Sequence, residues 1–575
     1  MNVVRKHRID IFTLTLCGIL IAITSAPYAI ASAMTPENHF YTGLLHNIDD
    51  SAVYLSWMRQ VAEGAFFQEN RFCVEPQKSV LFNLWFLFLG TLSRFIPAIW
   101  AYHTGRIIGV IAVVLSLRFL SKVVLKDEST RRLAIILTTC LSGFGYVMGG
   151  FDPSRGFMKQ PIDLFQPEIS IFQSCVYSPL FAPATALLVF AITSFIKSEV
   201  TTSWRGILPA GIATAILGNI HSYDVLHVLG VVLLIRISAD VMAGTFDRQA
   251  WYRLAVLVAM SIPTTAWVYY ATRIDPLFAA RADTSTRTAS LLWVCLGFGV
   301  AFPLAFVACV RAVKNKVTND ILMATWFVGA LLVAHLPFAF QRKMLMGAEV
   351  PIAFLAAVAL RFIMGKLSGD FPKILLGATY LVAVPTNLIW LQDTMARLGG
   401  NAGSTQMRPY LMDTERDALL WLSKHAKPHD AVLVAPDPSS HLRFPGVALM
   451  PHLSVYVPAL SGATVYDGHW SETLNYGKKL RNTIQFFDSK TSDDVRKSFL
   501  SEAGIHFVLS LTGLSKGPIK DATGADLIAS NGTIQYLPVS WVPAAQPDLV
   551  SGTPLPEFLK IVFENKDVVI YEVML

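Results

Sequence analysis

A chain of 575 residues is long enough for three or four soluble domains, yet 53% of it is hydrophobic, only 15% is charged, and its mean hydropathy is +0.48. Soluble domains are about a quarter charged, so too few charges exist here to cover several globules, and a chain with 36 phenylalanines, 17 tyrosines and 12 tryptophans does not stay disordered. The net charge of +7 comes without any Lys/Arg run interleaved with aromatics, which excludes nucleic acid as the expected partner.

The apolar residues fall into segments that match a hydrocarbon core of about 30 Å, so the sequence reads as an α-helical polytopic membrane protein. Arg5, Lys6 and Arg8 precede an apolar run at 9–33. Ala31-Ser32-Ala33 resembles a signal-peptidase site, but the run exceeds a usual signal core and is read as an uncleaved first span. The polar, aromatic stretch 34–101 comes next as a first outer loop. Within it Val53, Tyr54, Trp57 and Val61 recur at helical spacing over 51–64, which predicts an amphipathic helix on the membrane surface. The apolar segment 80–95 is short for a span and reads as a juxtamembrane or half-inserted helix.

Further spans are expected at 102–121, 133–149, 181–195, 206–220, 225–241, 254–271, 289–310, 321–340, 350–364 and 374–391, about eleven in all. An odd count puts the N-terminus in the cytoplasm and everything beyond the last span outside. Arg131 and Arg132, Lys314 and Lys316, and Lys366 and Lys373 then fall in inner loops, as the positive-inside rule requires. Two outer loops break the pattern, one with Arg273, Arg281 and Arg287, the other with Arg342 and Lys343. Basic residues on the translocated side need a reason, and an anionic ligand is one.

Past residue 392 no apolar run is long enough to span. A helix is expected at 414–425 and strands at 431–435, 504–510 and 568–573, so 393–575 reads as an extracytoplasmic α/β domain attached to a transmembrane domain of residues 1–392. The six cysteines show no CxxC spacing, and a Cys73–Cys175 disulfide is expected only if both face an oxidising compartment.

Four polar clusters carry candidate chemistry, and under this topology all lie on the outer face. Asp49-Asp50 precede the amphipathic helix, where adjacent carboxylates suit a general base, a divalent metal such as Mg or Mn, or a helix cap. Gln166-Pro167-Glu168 sits in the loop after the third span. His221, Tyr223 and Asp224 fall at the turn between two spans, where such groups must pair with one another or line an aqueous cavity. Gln341-Arg342-Lys343 offers two adjacent cations for a phosphate, or for anionic membrane lipids.

The run Asp49-Asp50-Ser-Ala-Val-Tyr-Leu-Ser-Trp-Met-Arg-Gln-Val-Ala-Glu-Gly64, together with the later Glu75-Pro-Gln77, resembles the first outer loop of the GT-C glycosyltransferases, a superfamily that includes protein O-mannosyltransferases and aminoarabinose transferases. The Pro167-Glu168 loop, the His221-x-Tyr223-Asp224 turn, the Gln341-Arg342-Lys343 segment and Gly468-His-Trp-Ser-Glu-Thr473 are similar to uncharacterised bacterial members. The resemblance implies a GT-C fold in a bacterial inner membrane and a polyprenyl-phosphate sugar donor. It also implies a glycan, lipid or protein acceptor, with transfer at the extracytoplasmic face and inversion at the anomeric carbon. Asp49 or Asp50 would be the catalytic base. Arg342 and Lys343, with Gln341, would meet the lipid phosphate. Glu168 would orient the acceptor or help hold a metal, and His221, Tyr223 and Asp224 would line the cleft or bind sugar hydroxyls. The alternatives are a transporter or flippase of lipid-linked sugars, which should show internal repeats and midplane ionisable groups, and an envelope protein whose outer domain does the work.

Overall fold

The structure, a computed structural model, describes residues 10–152, 155–282, 285–399, 409–436, 453–512, 541, 543–544 and 553–575. The helical part comprises α1 (Ile11–Ala33), α2 (Ile48–Ala62), α3 (Leu84–Leu92), α4 (Ala98–Val124), α5 (Glu128–Cys140), α6 (Ile171–Tyr177), α7 (Phe181–Thr201), α8 (Ile207–Ile220), α9 (Asp224–Ala243) and α10 (Arg248–Ile274). It continues with α11 (Pro276–Ala282), α12 (Leu291–Gly297), α13 (Ala301–Asn315), α14 (Thr318–Val333), α15 (Glu349–Met364), α16 (Phe371–Ala383) and α17 (Pro385–Gly399).

By length and composition, α1, α4, α7, α9, α10 and the segment Gln341–Met364 that ends in α15 are each able to cross a membrane, and two bent pairs raise the total to as many as eight. The chain is therefore a multi-pass membrane protein. The count is below the eleven expected, because several apolar runs stop being regular helix before they are long enough. The run at 133–149 leaves the helix at Cys140, ahead of Gly143, Gly145, Gly149 and Gly150. The run at 206–220 gives a helix of 14 residues, and the run at 321–340 gives one of 16, ending at Val333 before Pro337. The single span expected at 289–310 is broken into α12 and α13, which meet at 102°. Gly299 has φ +53° at the break, and the Gly297 backbone lies so close to Gly143 that a Cβ there would meet it at 2.4 Å. The run at 374–391 bends by 42° where Pro385 begins a new helix.

One end of the bundle is marked by ion pairs. Arg118 near the end of α4 bridges Asp10 before α1 (2.9 Å) and Glu128 of α5 (2.8 Å). Glu199 at the end of α7 pairs with Arg236 of α9 and Arg253 of α10, and Asn319 of α14 donates to the Val124 carbonyl (3.2 Å). The α8–α9 turn, the end of α10 and the 341–345 turn lie at the opposite end, beneath the first loop. There Leu84 N–H donates to Asn219 Oδ1 (2.6 Å), Asn83 Nδ2 to the Ile220 carbonyl (3.1 Å) and Trp267 Nε1 to the Val80 carbonyl (3.2 Å).

The C-terminal part folds as a five-stranded mixed sheet, ordered β4-β3-β5-β9-β8 from β3 (Ala431–Val434), β4 (Thr464–Val465), β5 (Ile505–Leu511), β8 (Leu559–Glu564) and β9 (Val568–Val573). Strand β3 runs parallel to β4 and β5, and β9 antiparallel to β5 and β8. Helices α18 (Asp413–His425), α19 (Tyr476–Phe486) and α20 (Asp493–Glu502) accompany it, and a short parallel pair joins β6 (Pro543–Ala544) to β7 (Thr553–Pro554). The expected helix at 414–425 and all three expected strands are found. A ribbon of β1 (His39–Tyr41) and β2 (Tyr410–Met412) ties the first loop to this part, with His39 opposite Met412.

The predicted surface helix is α2, and it is buried within the protein on more than one side. Ile48, Val53, Tyr54, Trp57 and Met58 share one buried core with Val432, Val434, Phe507, Leu509 and Ile570 of the sheet and with Phe86 and Tyr102 of α3 and α4. Leu55, Met58 and Ala52 make α2 apolar around most of its circumference, and a helix of that kind is buried on several sides. All six cysteines are free thiols; Cys73 Sγ donates to Glu75 (3.0 Å) rather than bonding to Cys175.

Candidate active site

Helix α2 starts earlier than the sequence suggests. Asn47 is its N-cap, held at φ +48°, so Asp49 and Asp50 occupy the first turn and neither is the cap. Carboxylates in a first helical turn are favoured by the exposed N–H groups there. Successive helical residues point about 100° apart, and the two side chains diverge accordingly: that of Asp49 is 2% exposed and that of Asp50 is 38% exposed. Asp50 accepts hydrogen bonds from the Asn47 amide and from Nε2 of His469, 3.1 Å away, while Asp49 Oδ2 lies 4.0 Å from the same nitrogen. Burial acts to raise the Asp50 pKa. The hydrogen bonds from His469 and the Asn47 amide and the charge of Lys343 outweigh it and hold the carboxyl below the usual carboxylate range.

His469 is completely buried. Its Nδ1 receives the backbone N–H groups of Ser471 (3.1 Å) and Glu472 (3.2 Å). Burial disfavours a charged ring, whereas Asp50, Asp49 and Glu472 draw its pKa upward. Two N–H groups aimed at Nδ1 leave no place for a second proton, so we assign the neutral tautomer with its hydrogen on Nε2, facing Asp50. The 468–473 stretch stands out in the sequence, but without a role for His469. Nothing local marks that residue, because its partner is remote in the chain.

Lys343 belongs to the 3-10 turn Gln341–Leu345 between α14 and α15. Its Nζ lies 4.6 Å from the centre of the Tyr223 ring, and its charge reaches Asp50. Arg342 is fixed through its backbone: its N–H donates to the Thr286 carbonyl (3.0 Å) and its own carbonyl accepts from Gln166 Nε2 (2.7 Å). The guanidinium carbon sits 5.9 Å from the Phe165 ring centre, and buried Nε has no hydrogen-bond partner among the described residues. Gln341 braces the turn: its Nε2 donates to the Leu336 carbonyl (2.8 Å) and its Oε1 accepts from Thr288 N–H (3.4 Å).

His221 and Asp224 are hydrogen-bonded within the α8–α9 turn, Nδ1 to Oδ2 at 2.9 Å, with Asp224 wholly buried and its Oδ1 without a hydrogen-bond partner among the described residues. Tyr223, between them, turns to Lys343 and packs on Phe340 at 4.7 Å. Glu168 is buried in the 3-10 turn Pro167–Ile169, two residues beyond Gln166. That loop is anchored by Asp163, whose Oδ2 accepts the N–H groups of Gly143 (3.0 Å) and Gly145 (3.2 Å). Asp50, Lys343, Tyr223 and the Gln166–Arg342 contact thus form one chain of neighbours, with Glu168 and His221 beside it. Of the exceptional outer-loop cations, Arg273 stacks on Tyr269 (5.1 Å), and the Arg281 side chain lies outside the described residues.

A divalent metal at the carboxylate pair fits these residues poorly. The His469 ring turns an N–H and not a lone pair toward Asp50 and Asp49, so it adds no ligand to the pair. Among the described residues no group of three or more His, Cys, Asp or Glu side chains is arranged to hold a metal ion.

No family model and no curated protein matches the sequence. Solved structures do. The oligosaccharyltransferase of Archaeoglobus fulgidus in its apo form aligns over 94% of this chain and 75% of its own, with TM-score 0.53 and 12% identity. The same archaeal enzyme, AglB, in complex with an inhibitory peptide and a dolichol-phosphate, aligns over 87% and 70%, with TM-score 0.50 and 12% identity. ArnT from Cupriavidus metallidurans bound to undecaprenyl phosphate aligns over 96% and 97%, with TM-score 0.46 and 11% identity. The overlap with the archaeal enzyme takes in both the helical bundle and most of the C-terminal part, and the chain has the fold of the GT-C glycosyltransferases.

Proposed function

We propose that this protein is a membrane glycosyltransferase that moves a sugar from a polyprenyl-phosphate donor to an acceptor hydroxyl, with inversion, at the extracytoplasmic face. The observation that carries this reading is the placement of a strongly ionised carboxylate, Asp50, within the electrostatic reach of Lys343 at one end of the bundle. Transfer from a lipid phosphate needs a base for the incoming hydroxyl and a cation for the departing phosphate, side by side. The fold supports it, as does the dolichol-phosphate in the structure of the archaeal enzyme. In this reading residues 1–392 form the transmembrane domain and 393–575 the extracytoplasmic one.

Asp50 rather than Asp49 is the base, because its side chain is the one that remains accessible. As the acceptor oxygen bonds to the anomeric carbon, its proton passes to Asp50. The bond from that carbon to the phosphate oxygen breaks on the opposite face, and the electron pair leaves with the lipid phosphate. Lys343 and the unpartnered Nε edge of Arg342 meet the charge that grows there. Tyr223 holds the Lys343 ammonium in place, and Glu168 orients the acceptor. His221 and Asp224 shape the wall through their own hydrogen bond. Metal ions have no assigned step.

The test is incubation of purified protein with a panel of polyprenyl-phosphate sugars and acceptors, reading release of lipid phosphate. Release that depends on Asp50 is expected. A wild-type protein that frees phosphate from no member of the panel, or an Asp50→Asn variant as fast as wild type, overturns the reading.

A further inference from the structure

We propose that His469, carried by the C-terminal part of the chain, is a positioning residue that fixes the Asp50 carboxylate in the orientation needed to accept a proton. This rests on the reading of Asp50 as the base. The inference starts from geometry: a fully buried imidazole donates Nε2–H to Asp50 Oδ1 at 3.1 Å while the N–H groups of Ser471 and Glu472 occupy its Nδ1. With Nδ1 occupied, the ring has no second site through which to relay a proton. It therefore orients the base without taking part in the transfer.

The turn that carries the ring is itself built against the first loop. Thr473 Oγ1 donates to the Phe72 carbonyl (2.7 Å) and accepts the His469 N–H (3.2 Å), Asn70 Nδ2 donates to the Glu472 carbonyl (2.8 Å), and Leu474 N–H donates to Cys73 Sγ (3.2 Å). Phe72 packs edge-on against the imidazole at 5.9 Å. A Cβ on Gly468 would meet Val465 Cγ1 at 2.4 Å and Phe72 Cδ1 at 2.9 Å, so only glycine lets the turn approach this closely. Both ring nitrogens are satisfied, Nδ1 by backbone N–H groups and Nε2 by a carboxylate that is 38% exposed. The C-terminal part thus completes a site whose base lies in the first loop.

The experiment compares wild type, His469→Ala, His469→Gln and His469→Asn in donor turnover from pH 3.5 to 8, using the polyprenyl-phosphate sugar that wild type consumes. Glutamine places an amide N–H at the reach of Nε2, whereas the shorter asparagine amide stops at the reach of Nδ1. Loss of the Asp50 contact should lower kcat by about 10- to 100-fold, leave the donor KM within twofold, and move the acid limb to higher pH in His469→Ala and His469→Asn. Wild type and His469→Gln should hold their rate down to pH 3.5, because their limb lies below that window. An unmoved limb in His469→Asn, or a limb in His469→Gln displaced as far as in His469→Asn, overturns the proposal; the asparagine and glutamine pair carries the test if the alanine variant does not fold. If wild type turns over no donor, the glycosyltransferase reading falls. The pairing is then decided by melting temperatures of Asp50→Asn, His469→Asn and the double variant: strongly non-additive shifts uphold it and additive shifts overturn it.

Discussion

His469 Nε2 meets Asp50 Oδ1 at 3.1 Å across 419 positions of sequence. The contact joins a turn just beyond β4 of the C-terminal sheet to the first turn of α2, and the core shared by α2 and that sheet keeps the two in register. On the bundle side of Asp50 stands Lys343, steadied by Tyr223. The carboxylate is thus held by a hydrogen-bond donor and feels the charge of a cation, in a setting where charge on the acid is favoured.

Replacing Asp50 with asparagine preserves shape and keeps one oxygen to accept from His469 or Asn47, but removes the proton acceptor. General-base catalysis is worth about 10²- to 10⁴-fold, and kcat should fall by that amount while donor binding and melting temperature change little. Asp49→Asn should have a smaller effect, because that side chain is 2% exposed and cannot reach an acceptor. Initial rates of lipid-phosphate release compared across the two variants check this, and equal losses would mean that the base has been misassigned.

Lys343→Ala and Arg342→Ala remove cations from the opposite side. A charge-assisted hydrogen bond contributes about 1.5–3 kcal/mol, so the donor KM should rise by about tenfold or more for each. Lys343→Ala should also shift the acid limb of kcat upward, since the Lys343 charge helps to keep the Asp50 pKa down. Arg342→Ala, whose charge is not among the largest influences on Asp50, should move that limb less. A pH profile of the two variants separates the effects.

The sequence announces polar groups at span ends, and the structure brings Asp50, Lys343 and Tyr223 into one neighbourhood because a membrane fold leaves few other places for them. The strands at 431–435 and 568–573 are legible too, since continuous Val/Ile/Leu runs bounded by polar residues are strong local signals. What stays hidden depends on contacts between remote segments. The depth at which α2 is buried is set by a sheet that begins almost four hundred residues later. Gln341 also braces its own turn through Leu336 and Thr288, a contact that no local pattern announces. The overestimate of spans has a local cause: hydropathy does not register that Gly143 and Gly297 bring two breaks together.

Asp467 sits close to the catalytic turn but answers to a different environment. Burial pushes its pKa up to about 7, only partly offset by the hydrogen bond from Thr483 Oγ1 (2.8 Å) and the charge of Lys479. Its Oδ1 has no hydrogen-bond partner among the described residues. The folded protein therefore keeps a proton that the unfolded chain releases above about pH 4. Stability contributed by that proton is present in full at low pH and is lost as pH rises from about 4 to 7, by a total on the order of 2–4 kcal/mol. Asp467→Asn, with its carbonyl still accepting from Thr483, should flatten this dependence and raise the melting temperature at pH 8 relative to wild type. Melting curves at pH 5 and pH 8 decide it, and an unchanged difference between the two pH values would count against a protonated Asp467.

The loop that delivers Gln166 and Glu168 depends on a backbone-to-backbone approach. A methyl on Gly143 would lie 2.4 Å from the Gly297 carbonyl carbon, an atom that no rotamer change can move aside. Gly143 N–H is also one of the two donors that anchor Asp163, so any shift of this stretch of loop releases both constraints together. Gly143→Ala should therefore cost about 1–3 kcal/mol by overpacking and lower the melting temperature. It should also weaken donor and acceptor use, because the Gln166 bond to the Arg342 carbonyl shifts with the loop. The control is Gly377→Ala in α16, where nothing lies within 4 Å of the added carbon. That helical site should gain slightly in stability and leave turnover alone. If both alanine variants melt and turn over alike, the close approach at Gly143 does not position the site.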